Sequence, residues 1–488
     1  MENASPFYNR VRERKSLADA LNSPRSEMLI VYGRRGVGKS ALLDQALKDA
    51  NLPSLYYRAT RRTLALQLEA LTDAAREAFP DAFLGQSFES LTVFFDFLSH
   101  YAAQREDTGN QSPIAVVIDE LPYLADVDPG LLTVIQHWWD ANKRRPNLKI
   151  FLAGSYVAFM ERQVLDASAP LYNRRTGALK LEALDYAEAA LFFPRYSPQE
   201  KMAAYAILGG MPSYLEQFDP AQDIADNLRA TVLRRNTYLS EEPDWLLLED
   251  RRRDVTHGSI LRAVATGQRK PSDIARAIGK NSAQDIAPQL ASLQEQGLLI
   301  REVPITEMSQ PRSRTSLYYI ADNYLDFWYR YVDPARSLIA RGLGERVWEQ
   351  TISPNLGEYI SRPSFERASR QFLWRILENS NSEEFTDLSF VNVGTWWGAG
   401  DREIDVVATN ERGQVTVAGS CKWTESPMDV REYAALQSDL ALAGLTLSEA
   451  PWWFLFSRLG FSPHLTEIAA AQNPRRLILV DLDQMYRV

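Results

Sequence analysis

The feature that most constrains the fold is the run GRRGVGKS at residues 33–40, which directly follows the apolar run MLIVY at residues 28–32. It completes the pattern GxxxxGK[S/T], which forms a phosphate-binding loop where it joins a buried strand to a helix. Glycines let the backbone turn so tightly that consecutive N–H groups face a polyphosphate, and the N-terminus of the following helix adds a positive field. The sequence therefore predicts an α/β fold with a parallel sheet and a site for ATP or GTP, formed by Gly33, Arg34, Arg35, Gly36, Val37, Gly38, Lys39 and Ser40.

Two side chains of this loop have a predicted chemical role. Lys39 would reach the β- and γ-phosphates, and the hydroxyl of Ser40 would bind Mg²⁺. The alternative is a glycine-rich turn with a chance lysine, which the strand before it and the helix after it disfavour.

A second apolar run, residues 113–118, is followed directly by two acidic residues, Asp119 and Glu120. This pattern is typical of a buried parallel strand that delivers a Walker B pair. Asp119 would hold Mg²⁺ through water, and Glu120 would orient the attacking water. A strand that merely ends in solvated acids is the alternative. Because Glu120 is present, we expect hydrolysis of the nucleotide and not only nucleotide-dependent switching.

Three further polar residues are candidates for the same site. Ser155 follows a third apolar run at residues 149–154, where a sensor of the γ-phosphate would lie, although small polar residues also simply end strands. Arg174 and Arg175 would neutralise charge in the transition state, in the same subunit or in a neighbour. A solvated basic turn explains the two arginines equally well.

The composition indicates a multidomain protein in a reducing compartment. The chain has 488 residues, 45% of them hydrophobic, which is enough for roughly two to four domains with their own cores. The single cysteine, Cys421, excludes an intramolecular disulfide. No run has the length of a membrane span and residues 1–6 lack an apolar core, so we expect a cytoplasmic protein with no membrane partner. The net charge of −9 argues against non-specific coating of nucleic acid, but it does not exclude a local basic groove.

The hydrophobic pattern divides the chain into segments. Residues 1–177 alternate strands and amphipathic helices, which predicts a doubly wound P-loop core. Residues 178–248 are helical and suit a lid over the nucleotide. Within the lid, the run LGGMPSYL at 208–215 would let backbone near Pro212 pack against adenine, although a plain turn between helices is equally economical.

Residues 249–322 have the pattern of a winged helix, with helical runs followed by two short strands. The third helical run, residues 284–296, contains no Lys or Arg. Because groove readout needs phosphate contacts as well as base contacts, a structural or protein-contacting role is favoured over sequence-specific DNA binding. Lys280, Arg312 and Arg314 are candidates for phosphate contacts from the flanks.

The remaining part of the chain has two segments. Residues 323–351 form an aromatic helical linker, whose spacing suits packing better than base stacking. In residues 352–488 a helix is followed by three strands and then by alternating helices and strands. This order suits the core of metal-dependent nucleases, a restriction-endonuclease-like α/β domain.

On these motifs the chain resembles the archaeal-type ATPase family, a branch near the signal-transduction and AAA+ ATPases. The matching signatures are FYNR at 7–10, YGRRGVGKS at 32–40, IDE at 118–120, AGS at 153–155 and LGGMP at 208–212. The resemblance implies that the nucleotide is ATP. The C-terminal segment looks like the uncharacterised domain that often follows this ATPase and is similar to PD-(D/E)xK nucleases. That resemblance implies a nuclease-like site at Glu366, Asp405 and Lys422, with a second Mg²⁺ or Mn²⁺ as its cofactor.

Ser420 departs from the nuclease pattern, which has an acidic residue two positions before the lysine. A hydroxyl is a weak, neutral ligand, so the metal affinity should fall unless another acid compensates, among them Glu366, Glu403, Glu425 and Glu432. A third alternative is that Asp405 and Lys422 are merely a buried pair. Two functions therefore stay open. One is an ATPase that drives or gates a nuclease-like domain acting on DNA, and the other is a non-cutting switch or scaffold whose tail binds a protein partner. Homo-oligomerisation is compatible with both.

Overall fold

The computed structural model describes residues 9–487 apart from 83, 110–111, 145–146, 250–254, 311–312, 314, 379–384, 386 and 399–401. Phe7, Tyr8, Arg312 and Arg314, which the sequence analysis singled out, lie outside the described residues. The chain forms two compact units, Met1–Ala183 and Leu184–Val488.

The first unit is built on a parallel sheet. Its described strands are β1 (Glu27–Tyr32), β2 (Ser54–Arg58), β3 (Ile114–Asp119), β4 (Leu148–Gly154) and β5 (Gly177–Lys180), in the spatial order β2-β3-β4-β1-β5. All neighbouring pairs run parallel. Parallel strands covered on both faces read as continuous apolar runs, and every residue of β3 and of β4 is buried.

Helical crossovers connect these strands, as parallel pairing requires. The longer helices of the unit are Val11–Leu21, Lys39–Ala50, Leu64–Ala78, Leu91–Asp107, Leu121–Val127 and Leu131–Asn142. The strand order inserts β4 between β1 and β3. Because the carboxyl ends of parallel strands meet at one edge of the sheet, the residues that follow β1, β4 and β3 become neighbours there.

The predicted α/β architecture with a parallel P-loop sheet is confirmed by these strands. The predicted end of the core at residue 177 falls inside the sheet, because β5 continues to Lys180 and pairs with β1 up to Tyr32. A short strand at the end of a helical region is hard to recognise from its pattern, because Gly177–Lys180 alternates half-buried and exposed positions.

The second unit begins with helices. They include Tyr186–Ala189, Pro198–Leu208, Pro212–Leu215, Ile224–Thr231, Tyr238–Glu249, Val255–Ala265, Pro271–Ala277, Ala287–Glu295, Asn323–Phe327, Arg336–Ala340, Gly344–Val347 and Leu356–Tyr359. Between the eighth and ninth of these lies an antiparallel pair, β6 (Leu299–Glu302) and β7 (Leu317–Ile320). This order is compatible with the predicted winged helix, whose assignment stays a prediction. Throughout the described part of the chain, no helix has both the length and the apolar content needed to cross a lipid bilayer.

The second unit ends with a mixed sheet. Its described strands are β8 (Asn392–Trp397), β9 (Glu403–Thr409), β10 (Val415–Lys422), β11 (Leu447–Ser457) and β12 (Leu477–Asp481), in the spatial order β12-β11-β10-β9-β8. The pairs from β8 to β10 are antiparallel, and those from β10 to β12 are parallel. The helices of this part are Glu366–Glu378, Val430–Leu442, Pro463–Ala471 and Leu482–Met485. The predicted C-terminal α/β domain is thus confirmed as a separate mixed sheet.

Candidate functional site

The P-loop forms the turn between β1 and the helix Lys39–Ala50. Gly38 has a φ of 97°, in the left-handed region that favours glycine. At Gly33 a Cβ atom would lie 2.4 Å from the carbonyl oxygen of Leu181, so only glycine fits against the chain that follows β5. The other predicted loop residues lie in the same turn: Arg34, Arg35, Gly36 and Val37.

Lys39 is buried inside this turn. Its Nζ donates hydrogen bonds to the carbonyl oxygens of Gly33, at 2.9 Å, and of Arg34, at 3.1 Å. Burial lowers the pKa of Lys39, while the carboxylates of Glu120 and Asp119 act in the opposite direction. The structure therefore holds a lysine ammonium between the loop backbone and two acids, where an anionic group would gain from it.

Asp119 is completely buried at the end of β3 and accepts several hydrogen bonds. Its Oδ2 accepts from Ser40 Oγ at 2.6 Å and from Tyr56 OH at 2.8 Å, and its Oδ1 accepts from the backbone N–H of Glu120 at 2.9 Å. Nε of Arg58 lies 3.9 Å from the same Oδ2. Burial, together with the charge of Asp119, raises the pKa of Tyr56, so the phenol stays protonated and donates. The structure brings Ser40 and Asp119 together, as their predicted roles require.

Glu120 and Ser155 meet at the adjacent strand ends. Ser155 Oγ donates to Glu120 Oε2 at 2.7 Å, and the backbone N–H of Ser155 lies 3.3 Å from the same oxygen. Glu120 has φ 56° and ψ 45°, a left-handed conformation that is costly for a residue other than glycine. Strain of this kind is retained at functional sites. Because β4 lies beside β3, Ser155 is positioned to orient the Glu120 carboxylate.

Two residues of the site escaped the sequence analysis. Arg10 appeared there only as part of a family signature, yet its buried guanidinium donates to the carbonyl oxygens of Val37, at 3.0 Å, and of Glu182, at 2.7 Å. It ties the P-loop to the chain that follows β5. Tyr56 was not recognised at all. The signal that points to it is alternation along β2, because Tyr56 and Arg58 share one strand face and both approach Asp119.

Two predicted residues, Arg174 and Arg175, are not brought to the P-loop within the first unit. Arg174 and Arg175 precede β5, whose Gly177 is level with Leu29 of β1. They therefore lie at the amino edge of the sheet, about 10 Å along the strand from the carboxyl edge. Their side chains are engaged locally: Arg174 pairs with Asp140 at 3.0 Å, and Arg175 donates to the carbonyl oxygen of Tyr172 at 2.8 Å. Their catalytic role stays a prediction that now requires a neighbouring chain.

Pro212, the residue predicted to lie near adenine, begins the helix Pro212–Leu215 in the second unit. Its fixed φ and missing N–H suit the first turn of a helix, which accounts for the proline without a ligand. The predicted packing of this segment against adenine stays a prediction.

In the C-terminal sheet, Asp405 of β9 lies beside Ser420 of β10. Asp405 Oδ2 accepts from the backbone N–H of Cys421 at 2.7 Å and from Ser420 Oγ at 3.3 Å. Lys422 lines the same cavity of about 550 Å³, which we call the nuclease-like cavity. Ser420 thus donates a hydrogen bond to Asp405 where the nuclease pattern has a second carboxylate.

Glu366 is buried at the start of the helix Glu366–Glu378. Burial, reinforced by the carboxylates of Asp405 and Glu403, raises the pKa of Glu366 to about 8. The guanidinium of Arg362 lies between two of these acids, with Nε 3.5 Å from Glu366 Oε1 and Nη1 3.5 Å from Glu403 Oε2. Among the described residues, no three His, Cys, Asp or Glu side chains are grouped to hold a metal ion. The predicted second Mg²⁺ or Mn²⁺ therefore stays a prediction.

The arrangement in the first unit is that of a P-loop ATPase: a central parallel strand that ends in a phosphate loop, with an Asp-Glu pair on the next strand but one. A solved structure with a similar fold is the Walker-type ATPase of Pyrococcus abyssi, at 22% identity, with 66% of this chain and 96% of that chain covered and a TM-score of 0.50. The ORC2 protein of Aeropyrum pernix, in ADPNP-ADP complexes, gives 14% identity, coverage of 70% and 97%, and a TM-score of 0.42.

Sequence comparisons give matches to two domain families. Residues 7–218 match the family described as an ATPase domain predominantly from Archaea, and residues 328–434 match the one described as archaeal and bacterial proteins of unknown function. An uncharacterized protein of Methanocaldococcus jannaschii is 29% identical over 444 residues, which is 90% of this chain and 93% of the relative. These matches confirm the predicted resemblance: residues 7–218 are similar to an archaeal-type ATPase domain, and residues 328–434 are similar to the C-terminal domain of unknown function.

Proposed function

We propose that this chain is a Mg²⁺-dependent ATPase that acts as a molecular switch or motor, coupled to a C-terminal nuclease-like, degenerate domain that interacts with DNA. The observation that carries the ATPase part is the convergence of five polar residues at the carboxyl ends of three adjacent strands, namely Lys39, Ser40, Asp119, Glu120 and Ser155. A chance P-loop would not bring an acid pair and a polar sensor to the same edge.

Each of these residues has a role in phosphoryl transfer. Lys39 binds the β- and γ-phosphates of ATP, and Ser40 and Asp119 hold Mg²⁺. The metal supplies charge neutralisation on the phosphate oxygens. Glu120 accepts a hydrogen bond from water and orients it for attack, and Ser155 fixes the carboxylate of Glu120 in position.

The test separates binding from hydrolysis. Lys39→Ala should abolish ATP binding, while Glu120→Gln should bind ATP and lose turnover, measured by titration with a fluorescent ATP analogue and by phosphate release. Matched controls are Lys48→Ala, an exposed lysine of the same helix that pairs with Asp44, and Glu77→Gln, an exposed acid of another helix. Unchanged hydrolysis in both site variants, with folding intact, would refute the P-loop assignment.

The carboxylates of Glu366, Glu403 and Asp405, which we call the acidic cluster, support a C-terminal domain that does not cut DNA. With Ser420 at the acidic position and Arg362 among the remaining carboxylates, two-carboxylate coordination of a divalent cation lacks one of its two ligands. We therefore expect phosphate release while labelled DNA, incubated with ATP and Mg²⁺ or Mn²⁺, keeps its length. ATP-linked shortening of the DNA in wild type but not in Glu120→Gln would overturn this part.

The same observation favours a second candidate, a non-cutting nucleotide-dependent regulator or scaffold whose tail binds a protein partner. The two candidates differ in whether the chain binds DNA. Retention of labelled DNA in a filter or anisotropy assay, with or without ATP, supports the first. ATP hydrolysis with no DNA retention under either condition supports the second.

A further inference from the structure

Arg362 interrupts the helical chain that precedes the nuclease-like sheet. Its backbone is extended, with φ −133° and ψ 123°, a conformation favoured for the residue before a proline, here Pro363. Its guanidinium is shared between Glu366 and Glu403 at 3.5 Å from each. The break thus coincides with a cation placed inside the acidic cluster.

The charge of Arg362 is fixed by its neighbours. Burial alone would lower the pKa of Arg362, but the carboxylates of Glu403, Glu366 and Asp405 outweigh it and raise that pKa. A guanidinium is planar, permanently charged and carries N–H donors that match phosphate oxygens. It can therefore neutralise the acids and still present donors to a phosphate, which a divalent cation does in a metal-dependent nuclease.

Arg362 also lines a second cavity of about 540 Å³, which we call the basic cavity. Its other charged lining residues are Arg269, Arg330 and Glu358. Glu358 is 79% exposed and lies 3.9 Å from Arg330, so solvent screens this pair. Asp326 adds one carboxylate in a small adjoining cavity lined by the same three arginines. The basic cavity therefore keeps an excess of positive charge.

Tyrosine rings support two of these arginines. The guanidinium of Arg269 lies 4.5 Å from the centre of the Tyr319 ring. That of Arg330 lies 5.6 Å from the ring centre of Tyr331 and 5.8 Å from that of Tyr359. Stacking on a ring uses the face of a guanidinium and leaves its N–H edge for an anion. The arginines are held in place without being neutralised by these contacts.

The nuclease-like cavity continues from Arg362 and is balanced in charge. It is lined by the cations Arg362, Arg402, Lys422 and Arg431 and by the acids Glu403, Asp405, Glu432 and Asp439. The nuclease-like cavity, of about 550 Å³, and the basic cavity, of about 540 Å³, share Arg362 as a lining residue. Together they exceed the needs of one small anion and are suited to successive phosphates of a strand.

We propose that Arg362 replaces the divalent cation of the nuclease fold, and that the two cavities joined at Arg362 bind the sugar-phosphate backbone of a DNA strand without metal and without cutting it. This deepens the proposed function and rests on its DNA-interacting part. Arg269 and Arg330 hold phosphates in the basic cavity, and Lys422 faces the strand where it passes the acidic cluster.

The test measures binding of a labelled DNA strand by fluorescence anisotropy across a salt series, in EDTA and in Mg²⁺, on the full chain. Wild type should bind the strand in EDTA and should bind it no more tightly in Mg²⁺, because no metal ion takes part. Arg269→Gln and Arg330→Gln should each weaken binding about tenfold and lower the salt slope by about one. The matched control is Arg346→Gln, an exposed arginine outside both cavities that donates to Gln350, and it should bind as wild type.

Metal binding gives a second readout. The Lys39→Ala variant, in which the P-loop is disabled and the C-terminal domain is unchanged, should bind no Mn²⁺ by electron paramagnetic resonance. Mn²⁺ binding by this variant, or loss of DNA binding in EDTA, would refute the proposal that Arg362 replaces the divalent cation. If inorganic phosphate or AMP competes as well as DNA does at equal phosphate concentration, the two cavities do not bind a DNA strand and instead form a pocket for small anions.

The failures of the two proposals are distinguishable. If DNA binding is unchanged in Arg269→Gln and Arg330→Gln, DNA does not bind in the two cavities, but the proposal of a DNA-interacting ATPase still holds. Absence of DNA binding in every variant overturns both the cavities and the DNA-interacting part of the proposed function. Phosphate release, measured on the same preparations, reports on the P-loop independently of either result.

Discussion

Arg10 offers a demanding test of how the nucleotide site is assembled. Arg10→Met keeps the length and apolar stem of the side chain but removes the guanidinium. The carbonyl oxygens of Val37, in the P-loop, and of Glu182, after β5, then lose donors at 3.0 and 2.7 Å. The carboxylate of Glu13 loses a third, at 3.0 Å. The P-loop thereby loses its side-chain link through Arg10 to the chain that follows β5, while the close packing of Gly33 against Leu181 remains.

The magnitude follows from the bond to Val37. A hydrogen bond that involves a charged group contributes about 1.5–3 kcal/mol, and a buried acceptor left unpaired costs a similar amount. If only the bond to Val37 bears on the loop geometry, ATP binding should weaken by that amount, which corresponds to about 10- to 150-fold in Kd. The bond to Glu182 would appear chiefly as lost thermal stability of the first unit.

The assay is titration of a fluorescent ATP analogue in Mg²⁺, with circular dichroism and thermal melting as checks on folding. Arg14→Met is the matched control, because Arg14 lies on the helix Val11–Leu21 that directly follows Arg10, is 45% exposed and pairs with Asp49 at the surface. Its Kd should stay within about twofold of wild type, since exposed ion pairs contribute little. A folded Arg10→Met protein that binds ATP as wild type does would refute the view that Arg10 positions the P-loop.

Three further predictions concern other groups. Ser155→Ala removes the 2.7 Å bond to Glu120 and should lower turnover at saturating ATP about tenfold or more with little change in Kd; faster phosphate release would mean that Ser155 restrains Glu120. Burial, partly offset by nearby arginines, raises the pKa of Asp326 from 3.8 to about 6, so its contribution to stability is present below pH 3.8 and is lost as the pH rises through 6. Asp326→Asn should therefore remove up to about 3 kcal/mol of the loss in unfolding free energy between pH 3.8 and neutral pH, seen as a flatter fall of the melting temperature, and an unchanged pH profile would contradict the shift. Ser420→Glu alone should gain no Mn²⁺ binding, whereas Ser420→Glu combined with Arg362→Gln should; binding by the single variant would show that Arg362 does not exclude the metal.

The sequence alone predicts the nucleotide site well because its signals are local. A strand, a tight glycine turn and a helix are specified by consecutive residues, so residues 33–40 define both the fold at that point and the chemistry it supports. The same holds for Asp119 and Glu120 at the end of a strand whose every residue is buried. The mixed C-terminal sheet was equally predictable from the order of its apolar runs.

Other features have no local signal. The predicted end of the P-loop core at residue 177 leaves out most of β5. A short, half-exposed strand is specified by its pairing with β1 and not by its own composition. Arg174 and Arg175 lie in a basic turn whose composition suits a catalytic role and a solvated surface equally well, but the parallel pairing of β5 places that turn at the amino edge of the sheet. Sequence spacing does not reveal which edge of a sheet a loop will occupy.

The sequence by itself determined that this chain has a P-loop with an acidic partner strand, and it predicted a C-terminal α/β domain in which Ser420 departs from the nuclease pattern. The tertiary structure alone decided that Arg10 supports the loop from 27 residues away, that Tyr56 shares Asp119 with Ser40, and that Arg362 occupies the acidic cluster. Local motifs fix backbone conformation and residue type. Contacts between residues distant in the chain depend on strand order and on where burial forces a charge to find a partner.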